Sequence, residues 1–282
     1  MVKPKAVVLF SGGLDSRLVV KLMQQQGFEV EAVNFKLPFG CGCCNDVSCS
    51  MNFTQLNKAK FVVFDCFKGK LLEEYLEILK HPRHGRGVGM NPCIDCKIFM
   101  FKKAKEYADS KNIKIIATGE VLGQRPMSQT MGALKIIDKE IGFEIKRPLI
   151  ELGMQGRQRK KQMELAEKFK IKYPAPAGGC LLCEKNLKNR LKILLKENKI
   201  NEESVELVSV GRHFFKDNCW FIVARNEKES LIIEKHKNHL ESDTGRPAVF
   251  YETESTDNLM FANRLQKAYE DRKPERVGEW KI

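Results

Sequence analysis

Through the first 120 residues, short apolar runs alternate with segments whose apolar residues recur at helical spacing. Ala6–Phe10 is an unbroken apolar run bounded by Ser11-Gly12-Gly13, which predicts a strand buried on both faces. Beyond the turn, Leu14, Leu18, Val19 and Leu22 share one helical face. Glu29–Lys36 (EVEAVNFK) predicts a second strand after a turn at Gly27, and helical sequence around 52–60 leads to a third at Phe61–Asp65. Leu71, Leu72, Tyr75, Leu76 and Leu79 mark another helix. A helix over Lys97–Lys111 and a fourth strand at Ile113–Thr118 follow. Strand and helix alternating in this way predict an α/β fold, a parallel sheet with helices on both faces. Ligands of such sheets bind beyond the carboxyl ends of the strands, where Ser11–Ser16 and Thr118-Gly119-Glu120 both fall.

The pattern then loosens. Glu120–Gln129 (EVLGQRPMSQ) reads as a functional loop, and Arg147-Pro148-Leu149 is expected to re-enter the sheet region. Helices are expected at Arg157–Phe169 and Glu184–Asn198, separated by a Pro- and Gly-rich loop from Tyr173 to Cys183. Further on, strands are expected at Val205–Val210, Cys219–Ala224 and Ala248–Tyr251, with a helix over Asp257–Arg272. The organisation that results is an α/β domain at 1–183, a basic linker helix at 184–201 and a small α+β domain at 202–282.

Composition changes this picture in three ways. A hydrophobic fraction of 43% supports a packed core, while no apolar run reaches the length of a membrane span. MVKPKAVVLF lacks the features of a signal peptide, so the expectation is a cytoplasmic protein without a membrane partner. A net charge of +13 points to a polyanionic partner. The charge is concentrated between Arg157 and Lys199, where 13 Lys or Arg face four Glu, a net +9. Ten cysteines in such a chain read as metal ligands or reactive thiols rather than a disulfide scaffold.

The chemistry of the first turn follows from its residue types. Gly12 and Gly13 allow the backbone to approach a phosphate, Ser11 and Ser16 add hydroxyls, and the helix that follows presents its positive end. Asp15 suits such a site when a magnesium ion lies between carboxylate and phosphates. The string SGGLDS after an N-terminal strand resembles the signature of the PP-loop ATP pyrophosphatases, and no lysine follows the glycines as a P-loop requires. The resemblance implies ATP cleavage between the α- and β-phosphates, with AMP passed to a substrate oxygen. Phe10, Ser11, Gly12, Gly13, Asp15, Ser16, Asn34, Thr118 and Gly119 form the candidate ATP site, with Asp15 as the catalytic magnesium ligand.

Cys93 and Cys96 form a C-x-x-C at a helix start, and Cys180 and Cys183 a second after a Gly-Gly turn. Spacing alone allows a Cys₄ zinc site from the two pairs. Asn91-Pro92-Cys93 followed by Ala117-Thr118-Gly119-Glu120 resembles the tRNA 2-thiouridylases, and TGEVLGQRPMSQT (Thr118–Thr130) is still more similar to the 4-thiouridine synthetases of tRNA. By that resemblance, which covers about residues 5–183, Cys93 and Cys180 are the catalytic sulfur-handling pair. Cys93, Cys96 and Cys180 match the ligands by which related thiolases hold a [4Fe–4S] cluster with one open iron, whereas Cys183 would complete a closed Cys₄ site. Three arrangements therefore stay open: the cluster, a persulfide–disulfide pair of Cys93 and Cys180, and zinc. Cys41, Cys43, Cys44 and Cys49 match nothing in these families, and Cys66 and Cys219 read as buried hydrophobes. The N-terminal RNA-binding extension and C-terminal rhodanese domain of the bacterial 4-thiouridine synthetases have no counterpart in the sequence.

SVGRHFFKDNCWFIVARNEKES resembles the RNA-binding domain of NFACT ribosome-associated proteins, with Gly211-Arg212 and Ala224-Arg225-Asn226 as matching positions. Arg212, His213, Phe214, Phe215, Trp220 and Arg225 either grip RNA or, for the aromatics, fill a small core. Arg157, Arg159, Lys160, Lys161, Arg212 and Arg225 are the candidate RNA contacts. The resemblances together imply an ATP-dependent tRNA sulfurtransferase that adenylylates a uridine carbonyl oxygen and replaces it with sulfur. Its cofactors would be ATP, magnesium and a [4Fe–4S] cluster or zinc. Its partners would be tRNA and a sulfur donor, either sulfide or a cysteine desulfurase or sulfur carrier. The rivals are a PP-loop amidating or lysidine-type ligase, and a zinc-stabilised nucleotide- and RNA-binding protein without catalysis.

Overall fold

The computed structural model describes residues 3–40, 47–176 and 179–282, which divide into two compact units at Cys183/Glu184. Residues 184–201, expected as a linker, fall inside the second unit.

The first unit is built on a four-stranded parallel sheet in the order β3-β2-β1-β4, from β1 (Lys5–Leu9), β2 (Glu29–Lys36), β3 (Lys60–Asp65) and β4 (Ile115–Thr118). Helices α1 (Leu14–Gln25), α2 (Ser48–Leu56), α3 (Gly69–Lys80), α4 (Cys93–Ser110), α5 (Met131–Ile141), α6 (Pro148–Glu151) and α7 (Lys160–Lys168) surround it. The unbroken apolar run of β1 is explained by burial on both sides. Ala6, Val8 and Phe10 pack with Leu14, Leu18 and Val19 of α1, while Val7 and Leu9 pack with Ile98, Phe101 and Ala104 of α4. At the opposite end from the loops, Glu31 is buried and accepts from Tyr107 Oη (2.5 Å) and Lys60 Nζ (3.1 Å). Burial alone would raise its pKa; those bonds outweigh it and hold the carboxyl below its usual range.

Because β2 and β3 lie on one side of β1 and β4 on the other, the chain reverses its winding direction at β1/β4. The loops that leave these two strands therefore diverge and open a crevice. Arg147-Pro148-Leu149 does not rejoin the sheet as a strand. Lys146 alone bridges Ala117, after which Pro148, whose fixed φ suits a first helical position, opens the turn α6.

The second unit carries α8 (Lys185–Lys196), α9 (Glu202–Leu207), α10 (Glu227–Ile233) and α11 (Thr256–Glu270). Its antiparallel sheet runs β5-β6-β8-β7, from β5 (Arg212–Lys216), β6 (Cys219–Val223), β7 (His239–Leu240) and β8 (Val249–Tyr251). The strand expected at Val205–Val210 is instead helix α9 and its exit. Asn201 and Ser204 form a capping box that starts a helix, and local capping overrides the β-branched residues. No helix among the described residues is long and apolar enough to cross a membrane.

His213, Phe214 and Trp220 are fully buried, which removes them from the expected RNA-gripping surface. His213 Nε2 donates to Val210 O (2.7 Å) and Nδ1 accepts from Trp220 Nε1 (3.0 Å). The second bond requires the neutral ring, since a protonated Nδ1 cannot accept. Burial, with Arg190 nearby, holds the imidazole pKa well below its ordinary value. The unfolded chain takes up a proton that the folded one refuses, so stability present above about pH 6.5 should fall as pH drops below it. Trp220 and Trp280 are the two tryptophans of the chain and both lie in this unit. Tryptophan-detected urea unfolding should therefore show a midpoint that declines below that pH, and His213→Gln should flatten the decline.

Candidate functional site

The nucleotide turn lies at the crevice between the ends of β1 and β4. Gly12 has φ +77°, and a Cβ there would run into the Ser50 hydroxyl. Only glycine meets both demands. Helix α1 begins at Gly13 without a side-chain cap, which leaves its leading amides available to an anion. The Ser16 hydroxyl donates to Gly13 O (2.9 Å) and lies 3.4 Å from Ser11 Oγ. Across the crevice, a Cβ on Gly119 would stand 2.8 Å from the Asp15 carbonyl carbon, so the exit of β4 meets the first turn of α1 backbone to backbone. Asn34 Nδ2 donates to Phe10 O (2.8 Å), and its buried Oδ1 has no hydrogen-bond partner. Thr118 is buried at the end of β4.

Asp15 is the electrostatic centre of this set. Its Oδ2 accepts from Gln124 Nε2 (3.1 Å), whereas Oδ1 is buried and unpartnered. Burial pushes the carboxyl above the usual range, and Gln124, Arg159 and Arg125 pull it part of the way back. A desolvated carboxylate with one oxygen unmet is suited to a cation, the role the sequence assigned to it.

Several residues that build the site carried no motif. Arg17, 4% exposed, braces the turn: its Nε donates to Gly12 O (2.6 Å), Nη1 to Lys172 O (2.7 Å), and Nη2 lies 3.0 Å from Cys49 Sγ. Its signal was positional, since 17 is three residues from Leu14 and lies on the apolar face of α1. Glu120, almost fully buried, meets Arg147 Nε (2.9 Å) and Lys97 Nζ (3.1 Å). That pairing ties the exit of β4 to the helix that carries Cys93 and Cys96.

Cys93 opens α4, and Asn91 Nδ2 donates to its Sγ (3.1 Å). The segment carrying Cys180 is laced between two distant loops. Cys180 Sγ donates to Phe39 O (3.2 Å), Leu181 N to Phe39 O (3.0 Å), and Met90 N to Leu182 O (2.7 Å). Burial pushes Cys180 up to about 12, opposed by the Leu182 amide and Arg125. Burial likewise pushes Cys96 up to about 12, with Cys180 and Cys93 adding to it, against Lys97 and the Tyr75 hydroxyl. Thiols are the donor type of a thiophilic metal or cluster, which deprotonates a coordinating thiol outright. Among the described residues, no three or more His, Cys, Asp or Glu side chains stand at metal-holding spacing. Cys41, Cys43 and Cys44 lie outside the described residues; Cys66 and Cys219 are buried, and Cys49 is exposed beside Arg17.

Of the candidate RNA contacts, Arg157, Lys160 and Lys161 are exposed, and Arg159 is half-buried. In the second unit, Arg212 stacks on Tyr269 (4.9 Å) and Arg225 pairs with Glu229.

Residues 1–169 match the family model described as thiamine biosynthesis protein (ThiI). The chain belongs to this family. A probable tRNA sulfurtransferase of Saccharolobus islandicus is 29% identical over 211 residues, which is 72% of this chain and 50% of that protein. One from Methanocaldococcus jannaschii is 33% identical over 150 residues, 52% of this chain and 37% of that protein. The chain thus spans about half the length, or less, of these curated relatives. Among solved structures, the U34-tRNA thiolase NcsA from Methanococcus maripaludis with its [4Fe-4S] cluster aligns with a TM-score of 0.43 at 15% identity, covering 73% of this chain and 71% of that one.

Asp15→Asn separates chemistry from stability at one position. The ionised carboxylate is disfavoured in the fold, so the neutral amide should leave Tm unchanged or raise it by about 2–4 °C. The same variant should lose nucleotide-dependent AMP release, measured by chromatography of the nucleotide products.

Proposed function

We propose that the chain is an ATP-dependent tRNA sulfurtransferase, which adenylylates a uridine carbonyl oxygen and replaces that oxygen with sulfur. The observation that supports this best is the placement of two chemistries at one end of the sheet: a phosphate-accepting turn with an unmet carboxylate oxygen, and half-buried thiols on the helix tied to it through Glu120 and Lys97. Membership of the ThiI family and the names of the relatives agree with it.

A uracil carbonyl oxygen is a poor leaving group, and attaching AMP converts it into a good one. The amides at the start of α1, with Ser11 and Ser16, orient the phosphates, and Arg17 keeps Gly12 in the conformation this needs. Asp15 would hold a magnesium ion, which supplies neutralising charge for the departing pyrophosphate. Cys93, Cys96 and Cys180 would hold a [4Fe–4S] cluster, which supplies an open iron for sulfide. Asn91 then donates to the Cys93 sulfur and fixes its direction. The basic residues from Arg157 to Lys199 contact tRNA phosphates; helix α8 has Lys185, Lys192 and Lys196 exposed and carries no acidic residue.

ATP–pyrophosphate exchange should depend on uridine-containing tRNA, and nucleosides from a deletion strain should lack one thiouridine by mass spectrometry. Exchange that proceeds equally without tRNA counts against a tRNA substrate. Protein prepared without oxygen should be brown, with about four irons per chain. Cys93→Ala, Cys96→Ala and Cys180→Ala should each lose colour and thiolation, while Cys183→Ala keeps the iron. With about six phosphate contacts, log affinity for tRNA against log salt should have a slope of roughly −4 to −5. A flat slope would return the lysines to solvated surface.

A further inference from the structure

The loop that leads into Cys93 and the turn from Cys180 to Cys183 touch through their backbones. Met90 N donates to Leu182 O (2.7 Å). One residue earlier, a Cβ on Gly89 would stand 2.1 Å from Leu182 O and 3.0 Å from the Cys183 Cα. Both are backbone atoms, so no side-chain rotation makes room, and any larger residue forces one segment off the other. The Gly89 amide donates to Asn91 Oδ1 (3.3 Å), and Nδ2 of the same side chain donates to Cys93 Sγ (3.1 Å). The run from Gly89 to Asn91 therefore holds the second cysteine segment by its backbone and the first by a side chain.

The anchors on each side decide which segment would yield. On the side of Gly89, the Asp95 carboxylate accepts from His84 N (3.1 Å) and lies 2.9 Å from His84 Nδ1, while Arg86 Nη2 donates to Leu79 O (2.7 Å). These contacts fasten the loop to helices α4 and α3. Opposite, Phe39 O accepts from both Leu181 N (3.0 Å) and Cys180 Sγ (3.2 Å). Just before Cys180 the chain has room, since a Cβ on Gly179 would meet nothing within 4 Å. A methyl group at position 89 would therefore push the Cys180 turn away while the loop that carries it stays in place.

We propose that Gly89 is a positioning residue for the sulfur step: the Leu182 carbonyl seats where its side chain would be, and that seat sets Cys180 in its working place. This role rests on the sulfurtransferase reading above and concerns only its second half. Gly89 acts through Leu182 and touches neither substrate nor a reacting thiol. The nucleotide half is built from other parts, since the turn at Gly12 is braced by Arg17 and Asp15 is met by Gln124. Adenylylation therefore does not depend on the seat, whereas delivery of sulfur does. A shift of about 1 Å in a reacting group can cost about 10²-fold in rate. Cys180 is common to the cluster, the Cys93–Cys180 pair and the zinc site, so the expected loss is the same for each.

The test compares Gly89→Ala with Gly179→Ala, whose added methyl enters open space beside Cys180. The full chain is given tRNA, MgATP and sodium sulfide, and pyrophosphate exchange and thiouridine are read separately. Gly89→Ala should keep exchange and the KM for ATP within about threefold of the unaltered protein while kcat for thiouridine falls about 10²-fold. Gly179→Ala should stay within about threefold on every measure. After treatment with a chelator, alkylation of Cys180 by N-ethylmaleimide, followed by peptide mass spectrometry, should quicken about tenfold in Gly89→Ala and not in Gly179→Ala. Thiouridine formation within about threefold in Gly89→Ala would overturn the role, as would an unchanged alkylation rate or an equal loss of exchange. Should Gly89→Ala not fold, the unaltered chain decides. Its Met90 amide should exchange hydrogen about 10²-fold more slowly than an unstructured amide, and unprotected exchange there would overturn the seat. Absence of pyrophosphate exchange in the unaltered protein would instead overturn the sulfurtransferase reading, while alkylation and amide exchange still report on the seat.

Discussion

A parallel sheet covered on both faces leaves its central strands few free side chains. Every apolar residue of β1 is consumed by one of two helical layers, so chemistry can only be placed where the strands stop. The order β3-β2-β1-β4 then decides which stop matters. At β1 and β4 the connections part, and the close approach of Gly119 to the Asp15 backbone brings the two exits together. The nucleotide turn, the Gln124–Arg125 loop and the Glu120 link to the cysteine helix all descend from that placement.

Most of the first unit was legible because its signals are local or periodic. The second strand lies at Glu29–Lys36, as its pattern indicated, and α1 buries Leu14, Leu18 and Val19. SGGLDS signalled a turn into a helix, and Gly12 at φ +77° with Asp15 in the first turn of α1 is what that string folds into. Less legible were residues whose roles depend on partners far along the chain. Arg17 reaches Lys172, and Asp15 meets Gln124, pairs that no window of sequence contains. Arg159 sat within a basic run and read as RNA-facing; it is half-buried with Nε unpartnered, unlike its exposed neighbours Lys160 and Lys161.

The second unit misled for a different reason. Val205–Val210 has strand composition, but Asn201 and Ser204 satisfy the leading amides of a helix and decide the matter locally. Aromatic residues beside basic ones suggested a base-stacking surface. A unit of this size needs its large rings for its own core, and Phe214, Trp220 and Phe250 are spent there.

The lacing of Cys180 onto Phe39 closes a loop of 141 residues, and Met90 secures the same segment from a third place. Such a closure cannot precede the elements it spans, because its entropic cost is repaid only once both ends have a platform. Cys180 therefore reaches its place against Phe39 only once both ends of that span have folded platforms on which to meet.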